Sequence, residues 1–254
     1  MTNQNPEKVL IIIPARLQSK RFPEKVLANI NGIPMILHTA SRARKANIGR
    51  VIIAVDHEKT RNIVSSAGFE SVMTQVGHVS GSDRISEAVD LIDPKQTATI
   101  IVNMQGDIPN IEPENLSSIL VPLKDPQVDI GTIASEISDN NDLDDINIVK
   151  IVTSSSTNGC LRSLYFTRSK TPYGIGPFYK HIGIYAYRRK ALQYFTKLPP
   201  STLEKRESLE QLRALENNMR IDVKIVKSNA ISVDMPYDLE QARILMAHSN
   251  YDNF

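Results

Sequence analysis

The sequence predicts an α/β fold in which helices flank a mainly parallel sheet. The first indication is the run from Val9 to Ile13, which is short, continuous and rich in β-branched side chains, and which Pro14 closes. Two runs of the same character follow at 50–55 and 99–104. Such runs are typical of strands buried on both faces. Stretches with helical character alternate with them, near residues 34–46, 58–67 and 83–92. This alternation predicts right-handed βαβ units.

After residue 125 the pattern changes from alternating strands and helices to mostly strands. Four stretches are strand-like, at 128–137, 149–153, 161–166 and 182–188. They predict a mixed sheet with an inserted lobe. Two helices, at about 206–217 and 236–247, follow with a strand between them at 222–226. The stretch from Asp139 to Asp145 is acidic and rich in turn-forming residues, and it predicts a surface loop.

The composition is that of a cytosolic globular protein. Of the 254 residues, 41% are hydrophobic and 23% charged, which suffices for a sizeable core. A formal charge of +2 does not favour a nucleic-acid or membrane-surface protein, and a single cysteine, Cys160, excludes an internal disulfide and a multi-cysteine zinc site. The N-terminal residues lack the apolar segment of a signal peptide, and the run from Val9 to Ile13 is far too short to span a membrane. We therefore expect a cytoplasmic protein.

A basic loop follows the first strand. Within ten residues it carries four cations, Arg16, Lys20, Arg21 and Lys25. In open α/β sheets ligands bind at the carboxyl edge of the strands, so these charges could hold a polyanion such as a nucleoside triphosphate. The loop matches neither the Walker A pattern nor the G-x-G-x-x-G pattern. On composition alone, a solvated basic loop is the simpler interpretation.

Four stretches in order resemble the motifs of one enzyme family. The loop reads P-A-R-x-x-S-x-R-x-P-x-K and is followed by the stretch 30–36, and the other matches are at 78–84, 102–109 and 233–239. Together they closely resemble the CMP-Kdo synthetases, the 3-deoxy-manno-octulosonate (Kdo) cytidylyltransferases. The resemblance implies a nucleotide-diphospho-sugar transferase-like (Rossmann-like) fold. It also implies a single domain over 1–254, whose parts are a nucleotide-binding region at about 1–125, a sugar-binding and dimerisation region at about 126–220, and a strand and helix at 221–254 that complete the metal site.

The resemblance also implies which residues meet CTP. The CTP-binding set is Ala15, Arg16, Lys25, Ser80, Gly81, Arg84 and Gln105. The catalytic set is Arg16, Arg21, Lys25, Asp107 and Asp234. Ser82, at the start of a predicted amphipathic helix, could instead cap that helix, and this alternative stays open for the stretch around it.

Asp107 and Asp234 are the predicted metal ligands. Asp107 follows the third buried strand, so it should emerge at the same sheet edge as the basic loop. A carboxylate that faces a triphosphate requires a cation between them, and Mg²⁺ is usually held by one or two carboxylates plus phosphate oxygens. The resemblance assigns both aspartates to the metal. Both could otherwise be turn or N-cap residues, and Asp234 before Pro236 fits a helix start well.

The Kdo-binding residues come from two further motifs. H-x-G-x-Y-x-Y-R begins at His181, and L-E-Q-L-R contains Glu210. The resemblance implies that Kdo is held by Arg21, Gln105, Arg168, His181, Tyr185, Glu210 and Gln211. Taken alone, His181 is more often a structural histidine, and Glu210 would belong to the solvated face of a helix. An arginine such as Arg168 is well shaped for a carboxylate.

The predicted reaction is CTP + Kdo → CMP-Kdo + pyrophosphate, with product passed to lipopolysaccharide assembly. The anomeric hydroxyl attacks the α-phosphorus directly, so no covalent enzyme intermediate is required. Two alternatives stay open, a cytidylyltransferase for 8-amino-Kdo or sialic acid, and a non-catalytic nucleotide-binding protein of the same fold. The resemblance suggests a homodimer with contacts near 165–205.

The chain departs from relatives at Glu24, where many carry glycine, and at Ile108, where an acidic residue is frequent. The stretch Gln75-Val76-Gly77 also varies, so we assign it no part in base specificity.

Overall fold

The computed structural model describes residues 8–18, 22–155 and 159–247. The strands are β1 (Val9–Ala15), β2 (Asn29–Ile30), β3 (Ile33–Pro34), β4 (Arg50–Val55), β5 (Glu70–Met73), β6 (Ile100–Asn103), β7 (Ile130–Glu136), β8 (Lys150–Ser155), β9 (Leu161–Thr167), β10 (Tyr179–Arg188) and β11 (Ile221–Ile225). The helices are α1 (Met35–Ala46), α2 (Glu58–Ser66), α3 (Gly81–Ile92), α4 (Pro113–Ser117), α5 (Asn140–Asp144), α6 (Arg189–Phe195), α7 (Thr202–Glu207), α8 (Leu212–Glu216) and α9 (Pro236–Ala247).

The first of two compact units comprises residues 1–117 and 229–254. Its strands lie in the order β5-β4-β1-β6 and every neighbouring pair is parallel. β1 is the centre of this sheet, and Ile11, Ile12 and Ile13 are fully buried. The predicted parallel sheet and its helices α1, α2 and α3 are therefore confirmed, with α3 beginning two residues earlier than expected.

The second unit comprises residues 118–228 and is a mixed sheet. Its strands lie in the order β10-β7-β11-β9-β8, and β8 also pairs with β10, so the five strands close on themselves. The pair β11–β7 is parallel, while the other pairs are antiparallel. The predicted change to a mixed sheet is confirmed.

Two local predictions in this second unit were wrong. The acidic stretch at 139–145 is the short helix α5, because the Asp139 side chain accepts a hydrogen bond from the Asn141 N–H and so caps it. The single helix expected at 206–217 is two helices, α7 and α8, because Ser208 has a left-handed φ of 56° that ends α7. Across the described residues, no helix is long and apolar enough to cross a lipid bilayer.

Candidate active site

A cleft of about 490 Å³ opens in the first unit, where β1 and β6 end. The predicted nucleotide and metal residues that line it are Arg16, Lys25, Ser80, Gly81, Arg84, Gln105, Asp107 and Asp234. The structure thus brings together residues from four separate stretches of the chain. Ala15 is buried at the end of β1. Arg21, which we predicted to act in catalysis and in Kdo binding, lies outside the described residues.

Lys25 joins the two predicted metal ligands at the floor of the cleft. Its Nζ donates to Oδ2 of Asp107 at 2.6 Å and to Oδ1 of Asp234 at 3.0 Å. Burial disfavours the charged lysine, but the two carboxylates outweigh this and raise the pKa of Lys25. Because both oxygens accept from the same nitrogen atom, the two carboxylates lie close together. The cleft therefore already holds one positive charge between two carboxylates.

The backbone around Asp107 fixes this arrangement. The Asp107 carbonyl accepts a hydrogen bond from the Val233 N–H at 2.9 Å, which ties the loop after β6 to the residue before Asp234. A Cβ at Gly106 would lie 3.0 Å from the Pro14 carbonyl oxygen, a tight contact that glycine avoids, so this loop can pass close to β1 without displacing that carbonyl. This close approach thus explains why glycine stands between Gln105 and Asp107.

Helix α9 sets the position of Asp234. Its buried residues Leu239, Ala242 and Met246 form a cluster with Ile30, Met35 and Val233. At its start, the carboxylate of Asp238 accepts hydrogen bonds from the N–H groups of Asp234 and Met235, at 2.9 and 2.8 Å. Asp238 thus satisfies these two donors, while the Asp234 carboxylate accepts from Lys25.

The departure at Glu24 has a local explanation. Glu24 has a left-handed φ of 53°, a backbone conformation that favours glycine, the residue that the family resemblance leads us to expect at this position. Both carboxylate oxygens of the exposed Glu24 accept from the Nζ of Lys59 at 2.7 Å. This pairing offsets the negative charge that Glu24 adds beside Lys25. Ile108, the other departure, is buried.

Helix α3 begins at the cleft with a capping box. The Ser80 hydroxyl accepts from the Asp83 N–H at 3.1 Å, and the Asp83 carboxylate accepts from the Ser80 N–H at 3.3 Å. The expected alternative, a cap at Ser82, is wrong in its position because the helix begins at Gly81 and Ser82 lies inside its first turn. Ser80 therefore has a structural role besides lining the cleft.

Arg84 is held by a network that sequence reasoning missed. It is buried, and its guanidinium donates to Oδ2 of Asp56 at 3.1 Å and to Oγ1 of Thr74 at 2.6 Å. Burial lowers the pKa of Arg84 despite the Asp56 carboxylate. The other oxygen of Asp56 accepts from the Leu17 N–H at 2.9 Å, so Asp56 also anchors the basic loop. The available signal was a carboxylate directly after β4, at the ligand-binding edge of the sheet.

His78 also lines the cleft, as does Gln105. His78 pairs through Nε2 with the carboxylate of Glu87, which also accepts from the Gln75 N–H at 3.0 Å. Burial alone would raise the pKa of Glu87, but these partners outweigh it and lower that pKa. The Gln105 amide donates to Oδ1 of Asn103 at 2.8 Å. His78 lies within a matched motif, yet no physical argument from the sequence had assigned it a role.

In the second unit, His181 and Tyr185 lie side by side because of a bulge in β10. Ile182 pairs with Ile133 of β7, but the next pair is Tyr185 with Thr132, so Gly183 and Ile184 are extra residues. Residues four apart in a regular strand are separated by about 13 Å. The two ring centroids are 5.2 Å apart. The bulge thus explains how the histidine and tyrosine of the H-x-G-x-Y motif, four residues apart, come to lie side by side.

Glu210 and Gln211 lie between α7 and α8 rather than within one helix. The interpretation of Glu210 as part of a solvated helix face was therefore wrong. It is only partly exposed, and its carboxylate lies 3.7 Å from the Arg213 guanidinium. Burial raises the pKa of Tyr185 well above its usual value, and the negative charge of Glu210 adds to this effect. Gln211 is buried.

Arg168 follows β9 and is held by Glu207. Its Nε donates to the Glu207 carbonyl at 2.9 Å, and its N–H donates to the Glu207 carboxylate at 3.0 Å. That carboxylate also accepts from Thr167 Oγ1 at 3.0 Å. The buried Lys150 donates to the Arg168 carbonyl at 3.0 Å. Sequence reasoning missed Glu207 and Lys150 because their contacts depend on the fold of the second unit.

Comparisons with known proteins agree with this architecture. The cytidylyltransferase family profile matches residues 10–221. The 3-deoxy-manno-octulosonate cytidylyltransferases of Rhizobium johnstonii and Bartonella bacilliformis are 55% and 54% identical to this chain. These matches cover 98% and 94% of the chain and 100% and 99% of the relatives.

Solved structures agree as well. A CMP:2-keto-3-deoxy-manno-octonic acid synthetase complexed with CTP superposes with a TM-score of 0.86 at 37% identity, covering 95% of this chain and 99% of that one. Apo-UDP-glucose pyrophosphorylase, at 12% identity and a TM-score of 0.70 over 94% of this chain and 97% of its own, shares the fold. The chain therefore belongs to the family of 3-deoxy-manno-octulosonate cytidylyltransferases.

Proposed function

We propose that this protein transfers CMP from CTP to Kdo. The observation that carries the proposal is the meeting of Lys25, Asp107 and Asp234 in the cleft of a chain from this family. In the reaction, the oxygen of the anomeric hydroxyl forms a bond to the α-phosphorus. The bond from that phosphorus to the bridging oxygen breaks, pyrophosphate leaves with the electron pair, and the hydroxyl proton is released. Positioning and charge stabilisation suffice for such a transfer.

Asp107 and Asp234 would hold Mg²⁺. The fit is supported by their shared contact with one ammonium group, since two carboxylates that face the same cation suit a metal as well. Within the described ranges, no group of three or more His, Cys, Asp or Glu side chains could hold a metal, so phosphate oxygens and water would supply the other ligands. When bound, Mg²⁺ would neutralise charge on the phosphate oxygens.

The remaining cleft residues would position CTP. Arg16 is exposed at the cleft and Lys25 also lines it, which supports the proposal that both would bind phosphate oxygens. Ser80, Gly81 and Gln105 would contact the ribose or the base. Arg84 would act beside them, held in place by Asp56.

The second unit would supply most of the contacts to the sugar acid. Arg168 is the cation suited to the carboxylate, and its backbone is fixed by Glu207. His181, Tyr185, Glu210 and Gln211 would contact hydroxyl groups. We assign Arg21 and Gln105 to the same substrate, as the family resemblance implies.

A pyrophosphate-release panel tests the proposal. CTP, UTP and GTP are each offered with Kdo, 8-amino-Kdo and a sialic acid, with Mg²⁺ present. Release with CTP and Kdo in clear preference to every other pair is the expected result. Preference for 8-amino-Kdo or sialic acid would reassign the substrate, and nucleotide binding without release for any pair would identify a non-catalytic nucleotide-binding protein.

We also propose a cytoplasmic homodimer whose product enters lipopolysaccharide assembly. The support for a dimer is a group of exposed apolar side chains in or next to the 165–205 region, Leu164, Tyr173, Ile175 and Tyr194. Light scattering of the protein at micromolar concentration should give twice the chain mass. A double substitution Tyr173→Ser, Ile175→Ser should lower that mass, and a monomeric wild type would end the proposal.

A further inference from the structure

Thr132 makes two contacts at the bulge in β10. Its Oγ1 lies 2.7 Å from the carbonyl oxygen of Ile184 and 3.0 Å from Nε2 of His181. Thr132 and Ile184 are both fully buried. Ile184 is one of the two extra residues of the bulge, which explains why its carbonyl faces a side chain of β7.

The protons at these two contacts can be assigned by counting donors. Two buried oxygen atoms 2.7 Å apart need a hydrogen between them, and a carbonyl has none to give. The single hydroxyl proton of Thr132 must therefore point at Ile184. Oγ1 can then only accept from His181, so the proton of that second contact belongs to Nε2 of the imidazole.

We propose that Thr132 is a positioning residue that fixes His181 as the tautomer with its proton on Nε2, so that Nδ1 accepts a hydrogen bond from a hydroxyl of the sugar acid. The second half of this inference rests on the proposed function, while the tautomer itself does not. A bare Nδ1 pairs with a hydroxyl donor and not with a carboxylate, which offers only acceptors. The polyhydroxylated part of the substrate is thereby the partner of His181.

The surroundings of His181 agree with a neutral ring. Burial lowers its pKa to about 3. The rings of Phe166 and Tyr185 flank it, with centroids 5.0 and 5.2 Å away. Among the described residues, none forms a hydrogen bond with Nδ1, and His181 is only partly buried, so we take this nitrogen as the acceptor for a ligand.

The tautomer is tested by ¹⁵N NMR of the full-length protein labelled at histidine, without substrates. The signals of His181 are assigned by their loss in His181→Gln. We expect a protonated, pyrrole-type Nε2 and an unprotonated, pyridine-type Nδ1. The reverse pattern, or a charged ring at neutral pH, would overturn the proposal in the wild type, whether or not the Thr132 variants fold.

Two variants test the role of Thr132. Thr132→Ser keeps the hydroxyl and should keep the wild-type ¹⁵N pattern, whereas the isosteric Thr132→Val should give a mixture of tautomers. The KM for Kdo should rise about tenfold in Thr132→Val, the effect of one hydrogen bond, with the KM for CTP unchanged and Thr132→Ser near the wild type. Equal behaviour of the two variants in both measurements would refute the positioning role. A confirmed tautomer without any transfer to Kdo would instead refute the proposed function.

Discussion

Replacing either aspartate at the floor of the cleft should nearly abolish activity. Asp107→Asn and Asp234→Asn each keep the shape of the side chain and remove its charge. In the free protein both carboxylates contact the Lys25 ammonium, at 2.6 and 3.0 Å. The same two charges would hold Mg²⁺ against the triphosphate. Each substitution therefore removes one of the two negative charges of the metal site and weakens the binding of the cation.

The expected size follows from the geometry. For the Lys25 ammonium, 3.0 Å from Asp234, Coulomb's law gives about 1.4 kcal/mol per unit charge at the dielectric constant of water. A divalent ion doubles this to about 2.8 kcal/mol, or roughly a hundredfold in kcat/KM. Asp107 lies closer, and its side chain is 20% exposed against 41% for Asp234. Asp107→Asn should therefore cost more.

Two assays separate metal binding from helix capping. Mn²⁺ binding without nucleotide and pyrophosphate release with CTP and Kdo are measured for both variants, beside Asp238→Asn as the matched control. Asp238 accepts from two N–H groups at the start of α9, and asparagine caps about as well as aspartate. The control should keep both properties. If Asp234→Asn also kept full activity, Asp234 would be a structural residue and not a metal ligand.

Three further predictions concern the nucleotide, the basic loop and His181. Turnover with CTP should far exceed turnover with GTP, because a wrong base leaves buried polar groups unpaired, and equal rates would contradict this. Arg16→Ala and Arg21→Ala should each lower kcat/KM for CTP at least tenfold with an unchanged thermal midpoint, while Lys20→Ala, outside the family pattern, should matter less. The pKa of His181 is about 3 in the folded protein and about 6.5 in the unfolded chain. The neutral ring therefore stabilises the fold above pH 6.5, and this contribution is lost as the pH falls below that value. Measured by urea unfolding, lowering the pH from 7 to 5.5 should reduce the free energy of unfolding of the wild type by about 1 kcal/mol more than that of His181→Gln. The same pH dependence in both proteins would refute the burial of a neutral ring.

The parallel half of the fold could be predicted because its pattern is local. β1, β4 and β6 are continuous apolar runs, and α1 and α2 lie between them with the expected period. The wrong predictions fell at positions where a single side chain or a single backbone dihedral angle determines the local structure. The cap from Asp139 turned a presumed loop into α5, and the left-handed Ser208 divided a presumed single helix. Neither effect has a periodic signal.

The cleft was partly predictable for a topological reason. The carboxyl ends of parallel strands meet at one edge, so Asp107 after β6 and Arg16 after β1 were expected to converge. Asp56 obeys the same rule after β4, but its role became visible only through its contacts with Arg84 and Leu17. The sequence supplied the position of Asp56 without indicating its partners.

Asp234 cannot be placed by the strand-end rule. β11 ends at residue 225, nine positions earlier, and belongs to the second unit, whereas Asp234 belongs to the first. Two tertiary contacts bring it to the cleft, the packing of α9 on Ile30 and Met35, and the hydrogen bond from the Val233 N–H to the Asp107 carbonyl. The position of Asp107 thus depends on the parallel sheet, and that of Asp234 on the packing of helix α9 against Ile30 and Met35. The family motif could indicate Asp234 from the sequence, but only these contacts explain why it lies within reach of the same lysine as Asp107.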